Sequence, residues 1–135
     1  MAFLVFDACA LIALAYDEEG ADYVESYLAD DENNCFIHSL TFCEFYYQVH
    51  RRSSKDDAAK LVDEIIEMGV NVRDDMDVEF WQTAGDLKAI HKRISLADCC
   101  ALTLANRLDA ELVTSDHHEL DPLAAQGVCK ISFFR

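Results

Sequence analysis

Short apolar runs alternate along this chain with longer amphipathic segments, and that alternation limits the available folds more than any other feature. Residues 2–6, 35–38, 70–72, 111–114 and 130–134 read as short strands. Between them, helical periodicity starts at about residue 8 and returns over 20–28, 41–52, 55–68, 78–90 and 96–108. In the 55–68 segment, Ala58, Ala59, Val62, Ile65 and Ile66 recur at about 3.6-residue spacing and so share a face. The polar stretch 29–34, the pair Ser53-Ser54 and Gly69 act as breaks. Strands alternating with helices predict an α/β fold built on a mainly parallel sheet. With one proline and four glycines in 135 residues, there is little material for linkers, and a single domain over 1–135 is expected.

The opening stretch MAFLVFDACALIALA resembles an export signal, but Asp7 interrupts it and the first Lys or Arg in the chain is Arg51. Tyr16-Asp17-Glu18-Glu19 ends the run before the roughly 20 apolar residues that a membrane span requires. A core strand leading into a helix is the remaining reading. The six cysteines are scattered, with no C-x-x-C pair, so they read as small buried hydrophobes of a reducing, cytoplasmic setting. The formal net charge of −15 opposes broad, sequence-independent binding of nucleic acid. The charge is also uneven: residues 1–50 hold ten acids and no Lys or Arg.

In open parallel sheets, ligands gather beyond the carboxyl ends of the strands, where strand order reverses. Asp7 directly follows the first strand and Asp116 closely follows the fourth. Two further acids stand out by isolation. Glu44 is the only acid between Asn33 and Lys55, and Asp98 the only one from Ile94 to Leu108. A carboxylate in apolar surroundings tends toward burial, which is costly unless it is paired, hydrogen-bonded or bound to a cation. Helix capping competes as an explanation: Thr41-x-x-Glu44 and Ser95-x-x-Asp98 both fit a capping box, and Asp7 and Asp116 could cap as well. Capping does not account for all four pointing at one sheet edge. Four like charges there would repel one another unless protons or hard divalent cations neutralised them.

Taken together, FDACALIAL, SLTFCEFYYQV, ISLADCCALTLA and ELVTSDHHEL resemble the PIN-domain nucleases, and among them the VapC-type toxins of toxin–antitoxin pairs. The resemblance spans essentially the whole chain. It implies a three-layer α/β/α fold with about five strands, in which Asp7, Glu44, Asp98 and Asp116 form an acidic pocket. In the family that pocket holds Mg²⁺ or Mn²⁺ and cleaves RNA, so a cognate antitoxin and a homodimer are implied partners. Thr114 and Ser115 match the hydroxyl-bearing position that supports the last acid. The aromatic residue common three positions after that acid is replaced here by Glu119.

Positive charge able to meet RNA phosphate is scarce. Gln48, Arg51 and Arg52 share a helix face with Glu44 by their spacing, and Lys88, Lys92 and Arg93 precede the Asp98 segment. All these cations could equally be ordinary solvated charges. Phe42, Phe45, Tyr46 and Tyr47 read as a packing face, on the sheet or on a second subunit. His117 and His118 read as exposed loop residues, Asp121 before Pro122 as a turn residue, and His38 and His50 as structural or surface residues. A receiver domain would need adjacent acids after the first strand, and a haloacid-dehalogenase-like phosphatase would need Asp-x-Asp; Phe6-Asp7-Ala8-Cys9 offers neither. The serious rival is a PIN-like module that binds RNA or protein without cleaving it.

Overall fold

β1 (Phe3–Phe6) lies at the centre of the sheet because its side chains have a core to enter on both faces. In the computed structural model, which describes residues 2–135, β1 pairs in parallel with β2 (Asn34–His38) and β4 (Glu111–Thr114). β3 (Asn71–Arg73) and β5 (Ile131–Phe133) complete a five-stranded parallel sheet in the order β3-β2-β1-β4-β5. Successive side chains point to opposite faces. Leu4 and Phe6 therefore enter one core while Val5 enters the other, and all three are 3% exposed or less.

The first core is covered by α1 (Ala8–Ala15), α2 (Ala21–Ala29), α3 (Ser39–Arg52) and α4 (Lys55–Glu67). It contains Leu11, Val24, Ile37, Phe42, Phe45, Val49 and Ile65. The second is covered by α5 (Val78–Ile90), α6 (Leu96–Leu108) and α7 (His117–Ala125), through Phe80, Leu102, Leu104, Leu120 and Leu123. Each such side chain, fully buried, contributes about 1.5–3 kcal/mol of transfer free energy. The result is the three-layer α/β/α arrangement with a parallel sheet.

Local chemistry moved three boundaries from their expected places. α3 begins at Ser39, ahead of Thr41, because His38 caps it: the Leu40 amide donates to His38 Nδ1 at 3.1 Å. With Nδ1 accepting, Nε2 carries the proton and donates to the Asp75 carbonyl at 2.9 Å, and the ring stacks on Phe80. His38 is thus a buried structural residue, and Glu44 sits in the second helical turn, outside any capping box. α2 starts at Ala21 after Gly20, which adopts φ +88° with Phe134 packed against its α-carbon.

The third change is α7, which replaces the expected loop and turn at His117, His118 and Asp121. Asp116 caps this helix by accepting from the Glu119 amide at 3.1 Å. Pro122 is tolerated within it, although proline removes one backbone donor. His117 stacks on Phe133 with ring centroids 4.0 Å apart. Its Nε2 donates to the Arg135 carbonyl and its Nδ1 lies 3.0 Å from Asp121 Oδ1. The Arg135 carbonyl first, and Asp121 second, raise the imidazole pKa above its ordinary value.

Candidate active site

The order β3-β2-β1-β4-β5 reverses direction between β1 and β4, so a crevice opens beyond their carboxyl ends. A cavity of about 210 Å³ lies there, lined by Asp7, Glu44, Asp98 and Asp116 together with Cys9, Ile12, Glu18, Gln48 and Arg135. Four isolated acids from four separate segments thus face one space. Asp7 follows β1 and Asp116 follows β4, while Glu44 and Asp98 project from α3 and from the first turn of α6.

Asp7 is the most deeply held, at 6% exposure. Oδ1 accepts from the Ala8 amide at 2.8 Å, which also caps α1, and Oδ2 accepts from Thr114 Oγ1 at 2.9 Å. The Cys9 thiol makes a longer donation to Oδ2 at 3.7 Å. Burial, with the Asp7 charge beside it, pushes the Cys9 thiol up to about 11, so the sulfur is a protonated donor and a poor nucleophile. Thr114 is itself fully buried, and its Oγ1 also accepts from the Asp116 amide at 3.1 Å. The Ser115 amide donates to Cys9 Sγ at 3.4 Å. Thr114 and Cys9 therefore tie the ends of β1 and β4 together behind the carboxylates.

Electrostatics distinguish Asp7, Glu44 and Asp98 from surface carboxylates. Burial raises the Asp7 pKa above its ordinary 3.8; hydrogen bonds from Thr114, Ala8 and Cys9 oppose that, and the Asp116 charge adds to it. Burial, then the charges of Asp7 and Glu44, push Asp98 up to about 8. Glu44 is raised by burial and by Asp7, against a 3.1 Å donation from Gln48 Nε2 to its Oε1. Cavity walls and like charges thus act together to disfavour full ionisation. Capping and clustering prove compatible, because Asp7 and Asp116 each cap a helix while lining the cavity.

The donor set is hard oxygen, the kind that Mg²⁺ and Mn²⁺ prefer. A cation would offset the burial, and relieve the added repulsion, that raise the pKa values of Asp7, Glu44 and Asp98. Among the described residues, however, no three His, Cys, Asp or Glu side chains close on a common point. Direct ligation by three carboxylates would therefore require side-chain rotation. An ion held by one or two carboxylates, with water in its other positions, would require less, and Mg²⁺ is usually bound that way.

The other residues singled out from the sequence are dispersed. Gln48 lines the cavity. Arg51 lies over the Tyr47 ring, and Arg52 lies over Tyr16 and pairs with Glu18 at 3.1 Å. Lys92 lines a neighbouring cavity. Lys88 is committed to structure: its Nζ donates to the carbonyls of Lys92 and Ile94. Sequence reading missed Arg135, the one Lys or Arg lining the acidic cavity among the described residues. It reaches the site through Glu18 at 3.5 Å and the Glu19 carbonyl at 2.9 Å, a contact 117 residues apart in the chain with no local signal. Cys9 could have been found, since it shares the first turn of α1 with the Asp7 cap.

A family model described as the PIN domain matches residues 4–124. A search of curated proteins gives no significant match. Among solved structures, VapBC2 from Rickettsia felis, bound to a DNA fragment from its promoter, matches with a TM-score of 0.77 at 16% identity. That match covers 97% of this chain and 98% of the other. DNA-bound VapBC from Salmonella typhimurium gives 0.76 at 17% identity over all of both chains. Mycobacterium tuberculosis VapC20, described as a toxin that cleaves the sarcin-ricin loop, gives 0.67 at 12% identity, covering 81% of this chain and 86% of that one. At these identities the likeness establishes a shared fold.

Proposed function

The chain belongs to the PIN-domain family, and from that premise we propose that it is a Mg²⁺- or Mn²⁺-dependent endoribonuclease, the toxin of a toxin–antitoxin pair. The observation that carries this reading is the convergence of Asp7, Glu44, Asp98 and Asp116 on one cavity at the switch point of the sheet. Asp7, Asp98 and Asp116 would hold the cation, directly or through water, with Glu44 contributing through water. When bound, the cation supplies Lewis-acid activation of water and charge stabilisation at phosphorus.

The protein's own groups divide the remaining work. Thr114 and the Ala8 amide fix Asp7 in one orientation, so its carboxylate needs little reorganisation during the reaction. Gln48 holds Glu44 through Oε1, leaving Oε2 to accept a proton from the attacking water. The raised pKa of Glu44 suits it to that role. Arg135 places a guanidinium at the edge of an otherwise acidic cavity, where it can meet a non-bridging phosphate oxygen.

An antitoxin that inserts a basic side chain among these acids would block the site, and the fold relatives solved as VapBC complexes support such a partner. A homodimer is supported by exposed Leu40, Cys43 and Tyr47, spaced along one face of α3. Six free cysteines suit a reducing compartment such as the cytoplasm. Among the described residues no helix is long and apolar enough to cross a membrane.

The net charge of −15 favours one second reading, a binding module without turnover. An RNA cleavage assay separates the two. Cleavage that needs Mn²⁺, stops with EDTA and is lost in Asp7→Asn and Asp98→Asn with the fold intact supports the enzyme. No cleavage by the wild type, or cleavage unchanged in Asp7→Asn, overturns it.

A further inference from the structure

A second cavity, of about 350 Å³, opens between the segment joining α5 to α6 and the start of α7. Its walls combine apolar and basic residues: Ile90, Ile94, Pro122 and Leu123 with His91, Lys92, Arg93 and His118, against one acid, Glu119. Two short segments separate it from the acidic cavity. Arg93 and Ile94 immediately precede Ser95, whose Oγ accepts from the Asp98 amide. His118 and Glu119 follow Asp116, which accepts from the Glu119 amide. The segments that carry Asp98 and Asp116 into one cavity therefore form the edge of the other.

The cations here are also uncommitted, which matters in a chain with eleven Lys and Arg against 26 acids. Arg52 and Arg135 pair with Glu18, Arg73 with Asp75, Arg107 with Asp75 and Asp77, and Lys130 with Asp109. Lys92 and Arg93 are exposed neighbours in sequence, and neither pairs with a carboxylate among the described residues. Lys88 braces the backbone that carries them, by its donations to Lys92 O at 3.0 Å and Ile94 O at 2.6 Å. Two free cations on a braced loop above an apolar floor, beside four acids, suit an anion that carries a flat apolar group.

We infer that this cavity seats the nucleotide of single-stranded RNA that flanks the scissile phosphodiester, with its base on the Ile90–Leu123 floor and its phosphate on Lys92 and Arg93. The inference rests on the nuclease reading above and adds where the strand leaves the acidic site. An acidic peptide is the poorer occupant, because it brings carboxylates to Lys92 and Arg93 but no flat apolar group to the floor of Ile90, Ile94, Pro122 and Leu123. A nucleotide strand instead presents a single phosphate per unit and an uncharged base to the floor.

The test uses fluorescence anisotropy of a labelled single-stranded RNA oligonucleotide with the full-length chain in Ca²⁺ buffer, across a salt series. The Lys92→Glu/Arg93→Glu variant is compared with a charge-matched control, Lys60→Glu/Lys130→Glu, and thermal melting checks that both are folded. Removing both cations from that one phosphate predicts about tenfold weaker binding and a log–log salt slope shallower by about 0.7, the contribution of one neutralised phosphate on a single strand. The control should stay within about twofold, because it leaves those contacts intact. Equal losses in both variants, or no loss in the first, would overturn the inference, as would an oligoglutamate peptide that binds the wild type more tightly than RNA does. Cleavage in Mn²⁺ is scored separately. Absence of cleavage with Lys92- and Arg93-dependent binding removes the nuclease reading and keeps the groove; cleavage with binding indifferent to those residues does the reverse.

Discussion

Thr114 Oγ1 donates to Asp7 Oδ2 at 2.9 Å and accepts from the Asp116 amide at 3.1 Å, so one buried hydroxyl holds two of the cavity acids in register. Thr114→Val keeps the shape and removes both bonds, leaving the Asp116 amide and one Asp7 oxygen without this partner. Outer-shell changes of this kind typically cost about 10–100-fold in metal affinity or activity. Thr114→Val is expected to show that loss in Mn²⁺ titration and RNA cleavage, and Thr114→Ser to recover most of it.

Metal-free stability should fall with rising pH across the neutral range. Asp98 moves from an ordinary 3.8 to about 8 on folding, and Asp7 and Glu44 move the same way. The folded chain therefore binds more protons than the unfolded chain between those values, and its stability declines as pH rises. The Asp98 contribution is complete below about pH 4 and gone above about pH 8. Melting in EDTA from pH 5.5 to 8.5 should show a declining Tm, a shallower decline in Asp98→Asn, and a Mn²⁺-induced rise that is largest at the alkaline end. A Tm that rises with pH in EDTA would contradict this electrostatic account.

Gly20 links the fold to the site. It adopts φ +88°, and an added Cβ would lie 2.5 Å from Phe134 Cδ2 and 2.7 Å from the Phe134 carbonyl oxygen. Gly20→Ala combines left-handed backbone strain of about 1–2 kcal/mol with overpacking of about 1–3 kcal/mol. Chemical denaturation should report a loss of roughly 2–5 kcal/mol, given those two terms. Because Arg135 follows Phe134, the same variant should also weaken RNA binding.

Arg135 itself separates substrate from metal. Its guanidinium lines the acidic cavity and is held by Glu18 and the Glu19 carbonyl. Arg135→Ala should raise KM for RNA several-fold while leaving Mn²⁺ affinity equal or slightly tighter, since a competing positive charge is removed. Steady-state kinetics alongside a Mn²⁺ titration checks both halves; weaker Mn²⁺ binding would contradict the assigned role.

The strand–helix alternation and the four isolated carboxylates were legible because they rest on local patterns: short apolar runs, 3.6-residue spacing and acids set in apolar sequence; the layer order came only with the family resemblance. Gln48 followed from its place one turn after Glu44. α7 was not legible, because Pro122 and a His-His pair look like a turn, and only the Asp116 cap and the Phe133 stack on His117 reveal the helix. The start of α3 was hidden for a similar reason: its cap is a histidine whose proton position is set by the distant Asp75 carbonyl. Arg135 and Glu18 meet only through tertiary packing, so no spacing in the sequence announces them. Lys88 stood open between a solvated charge and a phosphate contact, because its length and charge say nothing about which carbonyls it will reach.

Asp7, Glu44, Asp98 and Asp116 are proposed to act together as a cation site. Calorimetric titration of Mn²⁺ near pH 7, repeated in buffers of different ionisation enthalpy, tests it most directly. With Asp98 pushed up to about 8, Mn²⁺ must displace a proton to bind. The wild type should bind Mn²⁺ with proton release, and Asp98→Asn should bind it more weakly with that release largely abolished. No Mn²⁺ binding, or binding with the same proton release in Asp98→Asn, would contradict it.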